Sequence, residues 1–249
     1  MKNGSLGLII GLAGGFFGAL IGLGGGVVMI PLMTILLKLT QHKAHGTSLV
    51  AVVFTALAGA TTYYFHGTAD WKVALTLAAT AMITARFGAL YAHSLPEKKL
   101  KKAFGILLLC VSLLLFVKGL LPQSASEHGL AVNIIIFLGT GAVTGFVSGM
   151  MGVGGGAIMI PPMVLLAGMS QQLAQGTSLL AMIPVGLTGA FTHYGLGNVK
   201  LDIAAGISVG AIVGGHIGGT VANILPELYL KIIFSAVLIW IGQRYVRAN

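Results

Sequence analysis

The stretch GLGGGVVMIPLM, Gly22 to Met33, returns later in the chain as GVGGGAIMIPPM, Gly152 to Met163. The displacement is 130 residues (152 − 22). The same offset lays GTSLVA (Gly46 to Ala51) on GTSLLA (Gly176 to Ala181), Gly67 on Gly197, and Arg86-Phe87-Gly88 on His216-Ile217-Gly218. It also lays Leu95-Pro96-Glu97 on Leu225-Pro226-Glu227, with no gap needed anywhere. The chain is therefore an internal duplication. Residues 1–121 form one copy, 122–129 (PQSASEHG) a polar linker, and 130–249 the second copy.

The sequence around the motifs decides the solvent. Of 249 residues, 56% are hydrophobic and 8% charged, too few charges to cover a water-facing surface. No Asp, Glu, Lys or Arg occurs from Asn3 to Leu37, Ala44 to Ala69, His128 to Val199 or Ile203 to Pro226. A spanning helix takes about 20 apolar residues. The net charge of +9 is no nucleic-acid signal, because the basic residues sit in short loops between apolar runs. Met1 to Gly22 resembles a signal peptide. Its counterpart lies in mid-chain, however, so the segment reads as structural. The single cysteine, Cys110, lies in an apolar run and reads as packing.

Each copy divides into five helical segments. They run about Ser5–Ile21, Val27–Leu39, Thr47–Phe65, Lys72–Ala92 and Leu100–Leu120, then Leu130–Met151, Ala157–Met169, Thr177–Tyr194, Asp202–Asn223 and Leu228–Val246. The second of each set is too short to span. Segments one and two therefore form either a hairpin entering from one side or two crossings. In both cases the crossings per copy are odd, and the copies lie inverted. Charge agrees. One orientation puts Lys2, Lys38, Lys43, Lys98, Lys99, Lys101, Lys102, Lys200, Arg244 and Arg247 inside, and Lys72, Lys118 and Lys231 outside. The positive-inside rule selects it, with both termini cytoplasmic. Trp71, Tyr91, Tyr229 and Tyr245 fall near span ends, as interfacial anchors do. The fold class is an all-α, polytopic membrane protein of two inverted-topology repeats with Gly-rich helix breaks.

Three consecutive glycines free the backbone from the helix. Gly24, Gly25 and Gly26, with Gly154, Gly155 and Gly156, then leave two short helices with unpaired N–H groups deep in the protein. Such N-termini attract anions, although the preceding helix ends beside each with the opposite polarity. The alternative for the glycines is close helix packing, which must explain most of the 38 in the chain. Thr47, Ser48, Thr177 and Ser178 read either as helix N-caps or as hydroxyl donors to an anion. His45 and Gln175 precede them at equivalent positions, and both can donate hydrogen bonds. Arg86 is the one charge within a span. It serves either to attract anions or to snorkel toward the interface. No carboxylate lies deep in a span, so a proton coupled to transport must ride on a histidine or on the substrate. No His, Cys or carboxylate spacing suits a metal, and no cofactor motif or nucleophile set is present.

The doubled GLGGGxxxIP-like motif, each copy followed by an HGTS or QGTS element, resembles the sulfite exporter TauE/SafE family of membrane permeases over nearly the whole chain. That resemblance implies a multi-pass protein of a bacterial or archaeal cytoplasmic membrane with two homologous halves. It implies a small anion as substrate, sulfite or an organosulfonate among them, with no enzyme activity. The expected function is secondary transport by rocking of the halves; the alternative is an anion channel filtered by the breaks. The lipid bilayer is the expected partner, and a homo-oligomer is left open.

Overall fold

In a computed structural model of the chain, residues 2–96, ten residues between 98 and 113, and residues 130–247 are described. The helices are α1 (Lys2–Leu20), α2 (Gly26–Leu36), α3 (Gln41–Phe65), α4 (Trp71–Ser94), α5 (Leu130–Met151), α6 (Gly156–Leu165), α7 (Gln171–Gly195), α8 (Leu201–Ile224) and α9 (Glu227–Arg247). The described residues between 98 and 113 are helical as well, and no strand occurs among the described residues. Most of the expected Leu100–Leu120 segment and the whole 122–129 linker lie outside the described residues.

Five helices, α3, α4, α5, α7 and α8, are long and apolar enough to cross a membrane. The 11 residues of α2 and the 10 of α6 are not. At ~1.5 Å per residue each reaches roughly half of a ~30 Å hydrocarbon core. Leu75, Ile83 and Phe87 of α4, and Val209, Ile212 and Ile217 of α8, stay exposed, as lipid-facing side chains do. Trp71 opens α4 with its ring exposed and the Lys72 ammonium 5.7 Å from its centroid.

One expectation is corrected. The third segment of each copy begins six residues before Thr47 and Thr177 (47 − 41 and 177 − 171). Thr40 and Ser170 are the N-caps, accepting from the amides of Lys43 and Leu173. The GTS elements are thus interior to α3 and α7. Thr40 and Ser170 precede a long helix in extended conformation, which is what an N-cap requires.

The halves are interlocked rather than set side by side. Helix α1 packs on α8 of the other half, and α5 packs on α4. Helix α3 packs on both α7 and α8, and α7 on both α3 and α4. Under the 130-residue offset these pairings map onto one another, and the α3–α7 pairing maps onto itself. Glycine makes the contacts possible. A Cβ on Gly11 or Gly15 would overlap backbone atoms of Ile207 or Ala211, and one on Gly141 or Gly145 those of Leu77 or Ala81. The helices therefore touch backbone to backbone, the small-residue packing that holds helices together where lipid gives no hydrophobic drive.

These contacts separate structural glycines from incidental ones. Gly145→Leu should cost more than ~3 kcal/mol, since the side chain would have to occupy the place of the Ala81 carbonyl. Gly139→Leu, on the same helix but with nothing within 4 Å, should stay within ~0.5 kcal/mol. Thermal melts of the purified variants in detergent separate the two.

Candidate functional site

Each half has one helix break, and the two breaks meet in the buried centre. Gly22, Gly24 and Gly25 take positive φ of 71°, 78° and 88°, and Gly152, Gly154 and Gly155 take 67°, 99° and 107°. Other residues enter that region at a cost of roughly 1–2 kcal/mol each. A Cβ on Gly26 would strike Gly152 and Val153, and one on Gly156 would strike Gly22 and Leu23. Gly24 and Gly154 both face Val52 and Met182, themselves an offset pair (182 − 52 = 130), with 3.8 Å from a Gly24 Cβ to the Gly154 Cα.

Some of the backbone groups at the breaks find partners and others do not. The Gly18 carbonyl, at the end of α1, accepts from the amides of Leu23 (2.8 Å) and Gly24 (3.1 Å). The Ser148 carbonyl accepts from the Gly152 amide at 2.8 Å. The Gly22 carbonyl lies 2.8 Å from the Ser178 hydroxyl, and the Gly152 carbonyl 2.7 Å from the Ser48 hydroxyl. The two serines thus cross over, each reaching the break of the other half. Among the described residues, the amides of Gly26, Val27, Gly156 and Ala157, which open α2 and α6, have no acceptor. Open amides at a helix N-terminus are the polarity that favours an anion.

The side chains singled out from sequence divide into three groups. The glycines, Ser48 and Ser178 come together at the breaks. Thr47 and Thr177 brace the ends of the helices instead. Their oxygens accept from the amides of Lys200 (3.0 Å) and Asp70 (2.9 Å), which precede α8 and α4. His45 is buried with Nδ1 3.2 Å from the Met150 carbonyl and Nε2 2.7 Å from Gln41 Nε2. Gln175 is buried at the matching place and accepts from the Tyr63 hydroxyl at 3.1 Å. Arg86 is not brought to the breaks: it stands exposed on the outward face of α4 beside Phe87.

Two residues were not singled out. Thr144 and Ser148 on α5 are fully buried, and neither hydroxyl has a partner among the described residues. Both adjoin Gly155, the residue directly before α6; a Cβ there would lie 3.8 Å from Ser148 Oγ. Their counterparts in the first half are Gly14 and Gly18 (144 − 130 and 148 − 130). There the Met29 side chain packs over Gly14 instead. The signal available in the sequence was this pair of Gly-to-hydroxyl differences within otherwise matched segments.

Similarity to known proteins agrees with this architecture. Residues 7–245 match the family described as sulfite exporter TauE/SafE. A probable membrane transporter protein of Bacillus subtilis, YunE, is 28% identical over 215 residues, covering 78% of this chain and 79% of that protein. A second from the same organism, YdhB, is 28% identical over 227 residues, 90% of each chain. A probable membrane transporter protein of Xylella fastidiosa is 31% identical over 188 residues, 75% of this chain and 69% of that one. No solved structure matches.

The crossed serines carry a direct expectation. Ser48→Ala and Ser178→Ala each strip a buried carbonyl of its donor and should cost about 1–2 kcal/mol, read as a lowered melting temperature. Thr61→Ala, which removes an exposed bond within one helix, should leave the melt within ~0.5 kcal/mol of the parent.

Proposed function

Because the chain belongs to the sulfite exporter TauE/SafE family, we propose that it is a secondary transporter that carries a small sulfur oxyanion through the centre where the two breaks meet. It is a multi-pass membrane protein and not an enzyme. The substrate class is supported by one observation above all: the first amides of α2 and α6 have no acceptor in the buried centre where the breaks meet. An oxyanion accepts hydrogen bonds and carries the charge that helix N-termini favour. In this reading Gly24, Gly25, Gly26, Gly154, Gly155 and Gly156 form the walls. Thr144 and Ser148 add two donors on the side of the second break, and His45 and Gln175 sit just behind.

The halves, residues 1–121 and 130–249, lie inverted in the membrane and exchange access to the two sides by rocking against each other. The interlocked pairing of each half's first helix with the other half's fourth gives such a motion two equivalent end states. The loops rich in lysine face the cytoplasm, as do both termini. Arg86, exposed on α4, serves as an interfacial anchor rather than a ligand.

Purified protein in liposomes should show saturable sulfite counterflow, and ohmic current with no counterflow would replace the carrier by a channel. Gly154→Ala should lower the counterflow at least ~10-fold, because its φ of 99° disfavours a Cβ and Met182 Sδ lies 2.8 Å from where one would stand. Gly195→Ala, with nothing within 4 Å, should transport as the parent does.

A further inference from the structure

Four of the seven histidines gather at one end of the molecule. His42 and His45 lie near the start of α3, His93 in the last turn of α4, and His193 in the last turn of α7. The rings of His42 and His93 stand edge to face, 6.3 Å apart. Asn198 in the following turn reaches His93 Nδ1 at 3.3 Å. The 130-residue offset pairs the four positions with Gln172, Gln175, Asn223 and Tyr63 at the other end. None of these titrates between about pH 5 and 8, where histidine does.

Hydrogen bonding alone does not call for His193 and His93, because their neutral counterparts make the corresponding bonds. The Tyr63 hydroxyl donates to the Ala19 carbonyl at 3.0 Å, where His193 Nε2 meets the Gly149 carbonyl at 2.8 Å. Thr68 donates to Asn223 at 2.6 Å, where Asn198 meets His93. The frame is common to both ends; the titratable groups are confined to one.

The tautomer of His193 follows from its partner. A carbonyl only accepts, so Nε2 carries the hydrogen and Nδ1 the lone pair. Nδ1 is buried with no partner among the described residues. His45 donates from Nδ1 to the Met150 carbonyl in the same way. Gly149 and Met150 are in the last turn of α5, directly before the second break, and Ser48, one turn along from His45, holds the Gly152 carbonyl.

We propose that His193 Nδ1 is a proton-binding site coupled to anion occupancy of the second break and reached from one face only. The proposal rests on the reading of the breaks as an anion site. A proton from water passes the exposed His93 and the half-buried His42 and adds to the Nδ1 lone pair. One N–H bond forms, no electron moves, and the imidazole gains one positive charge. The titratable groups that act on that place are His42 from α3 and His93 from α4; His45 and Lys43 share the start of α3 with His42, and Lys200 and Asp202 stand where α8 begins. Helix α5 brings the Gly149 carbonyl. The one carboxylate among these groups, Asp202, is exposed, and in this proposal the bound anion serves as the counter-ion of the protonated ring. By linkage, each ligand then strengthens the other equally.

Thermal melts of the full chain in nanodiscs test this, with and without sulfate, an anion whose charge stays constant between about pH 5.5 and pH 8. The sulfate-induced rise in melting temperature should correspond to an affinity at least about threefold higher at the acid end. His193→Gln and His193→Tyr should hold the weaker, alkaline response at both pH values. The tyrosine variant copies the counterpart residue and so keeps the frame. A wild-type response that does not change with pH, or the same pH dependence in both variants, overturns the proton site and leaves anion binding standing. If neither sulfate nor sulfite raises the melting temperature at either pH, the anion reading falls and takes the proton site with it.

Discussion

The constraint on which the rest of the structure depends is the freed backbone at the centre. A helix broken inside an apolar protein exposes carbonyls and amides that no water can reach, at about 1–3 kcal/mol for each left unpaired. The two hydroxyls that resolve this for the carbonyls come from the opposite half: Ser178 to Gly22, Ser48 to Gly152. Neither half can close its own break. The backbone-to-backbone packing of α1 on α8 and α5 on α4 brings the two halves close enough to make that exchange. Stability and the candidate site thus have the same origin, and the amides that remain open are those the exchange does not reach.

Much of the architecture was legible because duplication is a within-chain comparison. The constant offset gave the halves and the breaks, and the apolar runs gave the long helices. What failed were inferences from local chemistry. A Thr-Ser pair after glycine has the form of an N-cap, yet Thr40 and Ser170 hold that role about two turns earlier. Nothing local distinguishes a cap from an interior hydroxyl that bonds a carbonyl 104 residues away, as Ser48 does. Arg86 drew attention as a lone charge in a span, but helix rotation decides whether such a residue faces a site or lipid. That rotation is set by Gly88 and Ala85 turning toward α5. Thr144 and Ser148 were passed over because a single hydroxyl on an apolar helix carries no signal until its counterpart is seen to be glycine.

The departures from symmetry are as informative as the symmetry. At the first break the side chain of Met29 packs over Gly14; at the second, Thr144 and Ser148 present hydroxyls without partners. At one end the buried tyrosine at position 63 donates to a carbonyl; at the other a histidine does so and keeps a lone pair in reserve. Each change is small in volume and leaves the helix pairing intact. Each changes which hydrogen-bonding groups stand at its place.

A symmetric frame with asymmetric chemistry has a consequence for direction. Two halves related by the same contacts give two conformations of nearly equal energy, which ease of exchange requires but which impose no preference for either side. A ligand shifts such an equilibrium only by its differential affinity for the two states. Thr144 and Ser148 border the second break, and His45 and His193 bond to the carbonyls just before it. In the proposed transport they place the differential affinity on one side of the frame. A few kcal/mol there suffices to bias a population by a hundredfold. Directionality in the proposed transport then requires that the duplicated halves stop being chemically identical while their glycines continue to fit.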